Sequence, residues 1–153
     1  MTTYTWERCD DPPVSWRGGL SDEIVFREGH RLCRAGTWIS DQARFGEIDK
    51  WVPVALGDVA PSIGDCEDFA LGLMLWCAKR GVPLDAMRLY LCEIKLWWKP
   101  WSKPFGHAVV CFESRDGALM SDIQCPSVIR WPTSKLTRYR HMWPAAKVVE
   151  VKP

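Results

Sequence analysis

The sequence predicts an α+β domain in which helices come first and antiparallel strands follow. Three observations carry that expectation. A capped helix starts behind Asp65 and carries the apolar run Phe69–Ala78, residues 87–96 alternate as a strand does, and shorter alternating segments run towards the C-terminus. Helices separated in sequence from a run of strands pack on one side of an antiparallel sheet. At 153 residues the chain fits one domain, 1–153, and is long enough to bury a sizeable core.

Each element has its own signal. Residues 1–19 contain Asp10-Asp11-Pro12-Pro13 and Gly18-Gly19, so extended or irregular backbone is expected there. Ser21 can cap a helix with Asp22 and Glu23 in its first turn, a loose stripe at Ile24, Val25, Leu32 and Cys33, and Gly36 to end it. Gly46, Pro53, Gly57 and Pro61 predict short turns and loops over 41–63. Asp65 is the expected N-cap of the second helix, with Asp68 at its third position in a capping-box-like pair. Phe69, Leu73, Trp76 and Cys77 form its stripe, Leu71 and Leu75 widen it, and Gly81 with Pro83 stops it. Strands are expected at Met87–Leu96, His107–Phe112, Ala118–Ile123 and Lys147–Val151, the middle two joined by a turn around Ser114–Gly117.

Composition narrows the function. A formal charge of +1 offers no attraction to nucleic acid or an acidic membrane, and Lys135–Arg140 reads as a solvated basic cluster. The longest apolar run, Phe69–Ala78, is far short of the roughly 20 residues a bilayer span requires. The first residues lack a charged-then-apolar leader, so a soluble chain outside the secretory route is expected. Seven cysteines without a Cys-x-x-Cys pair argue against structural zinc. They fit reduced, mostly buried thiols, of which one can be reactive.

Residues 64–69, Gly-Asp-Cys-Glu-Asp-Phe, put Cys66 where a helix begins. Unpaired N–H groups and the positive dipole end there favour a thiolate. His107, behind Gly106, can act as base, and Asp122 can hold its ring. His30 and His141 have no partner suggested by spacing, and Cys77 falls on the apolar stripe as an inert core thiol. Two difficulties stand against this site. A strict Asp116–Gly117 turn would set Cys111 opposite Asp122 and His107 opposite Pro126, leaving His107 and Asp122 roughly 13 Å apart along the strand. A turn nearer Ser114–Arg115, or a bulge, would cure that. The second difficulty is that Asp65, Glu67 and Asp68 oppose a thiolate at Cys66. They either cap the helix and point away, or bind a hard cation such as Ca²⁺. The loop 96–105 carries Trp97, Trp98 and Trp101 among lysines and prolines. Packing over the core is the default for it and base stacking a weak fit; as a functional reading a wall beside the cleft, with Gly106, is preferred.

These blocks resemble the bacterial transglutaminase-like cysteine peptidases, within the papain-like and transglutaminase-like group. The resemblance rests on Asp49-Lys50-Trp51-Val52-Pro53 with Gly64–Ala70, on Gly106–Val110, and on Leu119-Met120-Ser121-Asp122, across roughly residues 41–125. It implies the papain-like fold, with the nucleophile at a helix start packed on an antiparallel sheet. It also implies a Cys66-His107-Asp122 triad, a turn that brings the last two together, and Ca²⁺ held by Asp65, Glu67 and Asp68. The family commonly has asparagine after the triad aspartate, where Ile123 stands here. The compact form is similar to versions carried by bacteriophages, which implies a cytoplasmic or virion-associated address. The leading expectation is hydrolysis of a peptide bond in a protein substrate through a thioester, with Trp51 as an oxyanion donor. Transfer of the acyl group to an amine, as in transglutaminases, is the first alternative. A catalytically retired binding or assembly component, for instance of a phage particle, is the second.

Overall fold

The computed structural model describes residues 2–9, 19–46, 50–58, 61–96, 98–131 and 139–152. The irregular stretch 10–18, Asp49 of the first resemblance block, Trp97 and most of the Lys135–Arg140 cluster lie outside the described residues. The elements run β1 (Thr3–Arg8), α1 (Leu20–Arg34), β2 (Thr37–Trp38), α2 (Asp41–Phe45), β3 (Ile63–Gly64) and α3 (Cys66–Lys79). A 3-10 turn at Leu84–Ala86 leads into β4 (Met87–Ile94), β5 (Phe105–Ser114), β6 (Gly117–Ser121), β7 (Ile129–Trp131) and β8 (Tyr139–Val151). The α+β expectation holds. Six strands form one antiparallel sheet in the order β1-β8-β4-β5-β6-β7, and β2 and β3 form a small parallel pair.

Local chemistry accounts for most boundaries. Helix α3 starts at Cys66 behind Asp65, and Asp65 and Asp68 make the expected reciprocal capping box. Helix α1 starts two residues earlier than a Ser21 cap would set it, because the Asp22 carboxylate reaches back to accept the Gly19 N–H at 3.0 Å. Ser40 caps α2 within the region expected to turn. The last strand is longer than the sequence suggests, beginning at Tyr139 rather than Lys147. Pro144 and a positive φ of 49° at His141 disturb its alternation, and its pairing with β4 shifts register twice. Residues 3–8, extended as expected, are tied into the sheet by pairing with the C-terminal end of β8.

The sheet is buried on both faces at its centre. Ala108, Val110 and Phe112 of β5 pack with Phe69 and Leu73 of α3 and with Phe26 of α1, whose ring stacks on Phe112 at 5.0 Å. Val109, Cys111, Tyr90, Met120 and Tyr139 form a second apolar cluster. All seven cysteines are free thiols, and burial pushes Cys33 up to about 12 and Cys77 higher still, as suits inert core positions. No helix among the described residues is long and apolar enough to cross a membrane.

One close approach fixes the segment in front of α3. A Cβ at Gly72 would lie 2.4 Å from the Val54 carbonyl oxygen, and the Val54 N–H donates to the Asp68 carbonyl at 3.0 Å. Backbone rests directly on backbone there. Gly72→Ala is therefore expected to cost about 1–3 kcal/mol by overpacking and to lower the melting temperature by roughly 5 °C. Calorimetry showing no fall would contradict this packing.

Candidate active site

Cys66 is the first residue of α3, half-buried, and its sulfur has two polar neighbours. The thiol donates to Glu67 Oε2 at 2.9 Å. It also accepts the backbone N–H of Ala108, the residue after His107. Burial first, and then the adjoining Glu67 carboxylate, push the Cys66 thiol well above its ordinary range; the Ala108 N–H opposes them. As the residues stand, the helix N-terminus does not prevail over desolvation and the neighbouring carboxylates.

His107 and Asp122 meet. His107 Nε2 lies 2.7 Å from Asp122 Oδ1, with both side chains almost wholly buried. The turn provides the reason. Ser114 pairs with Gly117, so the two loop residues are Arg115 and Asp116, one position earlier than a strict Asp116–Gly117 turn. That single step moves Asp122 from four residues out of register with His107 to two. A diagonal neighbour on one face is roughly 7–8 Å away between backbones, within reach of an imidazole and a carboxylate. The chain then leaves the sheet: Cys125 N–H donates to the Asp122 carbonyl at 2.9 Å, and Gln124 N–H donates to Asp122 Oδ1 at 2.8 Å.

Asp122 has further support that no sequence signal announced. The Tyr139 hydroxyl, from the first residue of β8, donates to Asp122 Oδ2. Burial raises the Asp122 carboxyl, but the donors His107, Tyr139 and Gln124 outweigh it and hold the group at about 2. Behind this turn His30 is buried, with Nδ1 2.7 Å from Ser121 Oγ and Nε2 3.1 Å from the Cys125 carbonyl. It braces α1 against the Asp122 turn. His141 is exposed, 3.9 Å from Glu93.

Cys66, His107, Gly106 and Trp51 line one cavity of about 610 Å³ with Asp41, Asp65 and Glu67. Trp98 and Trp101 are exposed and are not among its lining residues. With Nε2 committed to Asp122, Nδ1 is the remaining nitrogen of the His107 ring.

The acidic residues divide into two groups. Asp68 is fully buried, ion-paired with Arg44 at 2.6 Å, and accepts the Val52 N–H at 2.7 Å, so it ties α2 and the 50–54 segment to the start of α3. Oxygens of Asp41, Asp65 and Glu67 instead lie within 4.8 Å of one another. Asp41 was not singled out by spacing, since it comes from a different helix 24 positions upstream of Asp65. Among the described residues, Asp41 Oδ1 and Asp65 Oδ1 are buried without a hydrogen-bond partner, and Arg44 stands 3.9 Å from the former. Burial, then Glu67 and Asp41, push Asp65 up to about 7. Orphaned buried carboxylate oxygens are costly. A hard divalent cation would satisfy them, so this donor set fits Ca²⁺.

No protein-family model matches the sequence, and no curated protein matches it. The fold is similar to solved structures of Legionella pneumophila LapG. One is 20% identical with a TM-score of 0.56, covering 80% of this chain and 62% of LapG. A calcium-bound form is 17% identical with a TM-score of 0.58, covering 80% and 68%. An EGTA-treated form is 20% identical with a TM-score of 0.56, covering 80% and 61%. This chain spans less than two thirds of the first of these LapG chains, and what the likeness shows is the α+β, transglutaminase-like fold.

Proposed function

We propose that the chain is a cysteine peptidase that hydrolyses a peptide bond in a protein substrate, with Cys66 as nucleophile, His107 as base and Asp122 as the ring's support. The observation that carries this reading is the 2.7 Å His107–Asp122 bond beside a helix-start thiol that touches the Ala108 N–H. The transglutaminase-like fold shared with LapG supports it.

The chemistry follows from those positions. His107 Nδ1 takes the Cys66 proton, and the sulfur attacks the carbonyl carbon, forming a C–S bond. The Cys66 backbone N–H meets the developing oxyanion, with the Trp51 indole on the cavity wall as second donor. The C–N bond then breaks, and the amine leaves with the proton from His107. Water, deprotonated by the same ring, attacks the thioester; the acid departs and the thiol is restored. Asp122 keeps the imidazole's Nε2–H tautomer and orientation throughout and takes no proton. The test is mass spectrometry of a cleaved peptide in the presence of a tagged amine. Release of the free acid supports hydrolysis, whereas incorporation of the tag assigns the acyl-enzyme to transfer.

Asp41, Asp65 and Glu67 would hold the cation, and LapG has been solved with calcium bound. When bound, Ca²⁺ supplies a positive charge that offsets the carboxylate field at the sulfur. Glu67 drawn into that set no longer accepts the thiol proton. Alkylation of Cys66 by iodoacetamide at pH 7.5 is expected to run about tenfold or more faster in Ca²⁺ than in EGTA, since each unit of thiol pKa is tenfold in thiolate. Asp65→Asn and Asp41→Asn should erase the difference. Equal rates and equal melting temperatures with and without Ca²⁺ would remove the ion from the account.

A further inference from the structure

We propose that the cleft takes a large apolar side chain of the substrate, aromatic or branched aliphatic, in a second hollow beside the bond that is cut. The proposal rests on the peptidase reading and names the substrate class of that site. A hollow of about 410 Å³ adjoins the Cys66 cavity, and Trp51, Leu91 and Trp143 line both, so the two form one trough. Its far wall is Trp6 of β1, and Ala145 and Ala146 of β8 provide the room because their side chains are short. Trp143 stands opposite Leu91 in the sheet and is 47% exposed, although an indole gains most by burial.

The occupant is argued from continuity and from charge. The trough leads away from the sulfur and the His107 ring without leaving the lining of one cleft. Near the sulfur its walls carry Asp41, Asp65, Glu67 and Glu93. Among the described residues lining the second hollow, Arg8 is the one charged side chain, among indoles and alkyl groups. An extended peptide can therefore lay its backbone past Cys66 and place one bulky apolar side chain between indoles from three separate segments. Pockets of this size and lining bury such groups and use few polar contacts.

The test uses two peptidyl fluoromethyl ketones of equal length with Ca²⁺ present, one carrying phenylalanine and one glycine at the residues preceding the electrophile. Iodoacetamide serves alongside as the measure of thiol reactivity. The phenylalanine probe is expected to modify Cys66 at least about tenfold faster, and Trp6→Ala and Trp143→Ala should bring the ratio towards 1. Melting curves on both variants separate lost shape from lost fold, and exposed Trp143 serves if Trp6→Ala fails to fold. Modification of Cys66 at equal rates by both ketones overturns this inference and leaves the peptidase reading intact. Failure of every electrophile to modify Cys66 overturns both.

Discussion

Cys66→Ala is expected to abolish peptide cleavage and acyl-enzyme formation, a loss of about 10⁴-fold or more, while the fold melts as before. Removing a nucleophile leaves only binding and oxyanion stabilisation, and neither forms the C–S bond. The side chain is half-buried at a helix start, and Ala removes only its sulfur, so truncation should cost little stability. His107→Ala should cost a similar factor, and the double variant no more than either alone, because the two act as one unit. A thiol-directed electrophile must then label Cys66 and spare the six other cysteines. Labelling concentrated on Cys125, the other half-buried thiol, with Cys66 inert, would overturn the assignment.

Asp122→Asn should lower kcat/KM by about 10³–10⁴-fold, because an amide can donate where the carboxylate accepts and so favours the wrong imidazole tautomer. Tyr139→Phe should cost less, about tenfold. It removes one of several donors to Asp122 and leaves the His107 and Gln124 bonds in place. A stability profile separates this positioning role from mere packing. Asp122 is held at about 2 against an ordinary value of 3.8. Its folded-state advantage is therefore present above about pH 4 and is lost as the pH falls towards 2. The wild-type protein should lose stability over that window. Asp122→Asn should flatten that part of the profile, and Tyr139→Phe should narrow it. An unchanged acid limb in both variants would remove Tyr139 from the support of Asp122.

The two acidic groups illustrate how far local pattern reaches. Asp65 and Asp68 were legible as a capping pair because the capping box spans four residues and its geometry is set by the helix itself. That Asp68 would turn to Arg44, and that Asp41 would join Asp65 and Glu67, depends on where α2 docks. No spacing encodes that. The exposed Trp98 and Trp101 stand in the same relation to the site. Their composition suited a cleft wall, but among the described residues the lining indoles come from β1, β2, the 50–54 segment and β8 instead.

By itself the chain determined the helix start under Cys66, the buried stripe of α3 and the run of antiparallel strands that follows it. All are set by propensity, capping and periodicity within a few residues. Only the tertiary structure decided that the turn falls on Arg115 and Asp116, which brings Asp122 to His107, and that Tyr139 closes over the pair from a strand whose alternation Pro144 and His141 obscure. A one-residue choice of turn alters every cross-strand partner at almost no local cost, so packing of the whole sheet, not the hairpin's own sequence, selects the register.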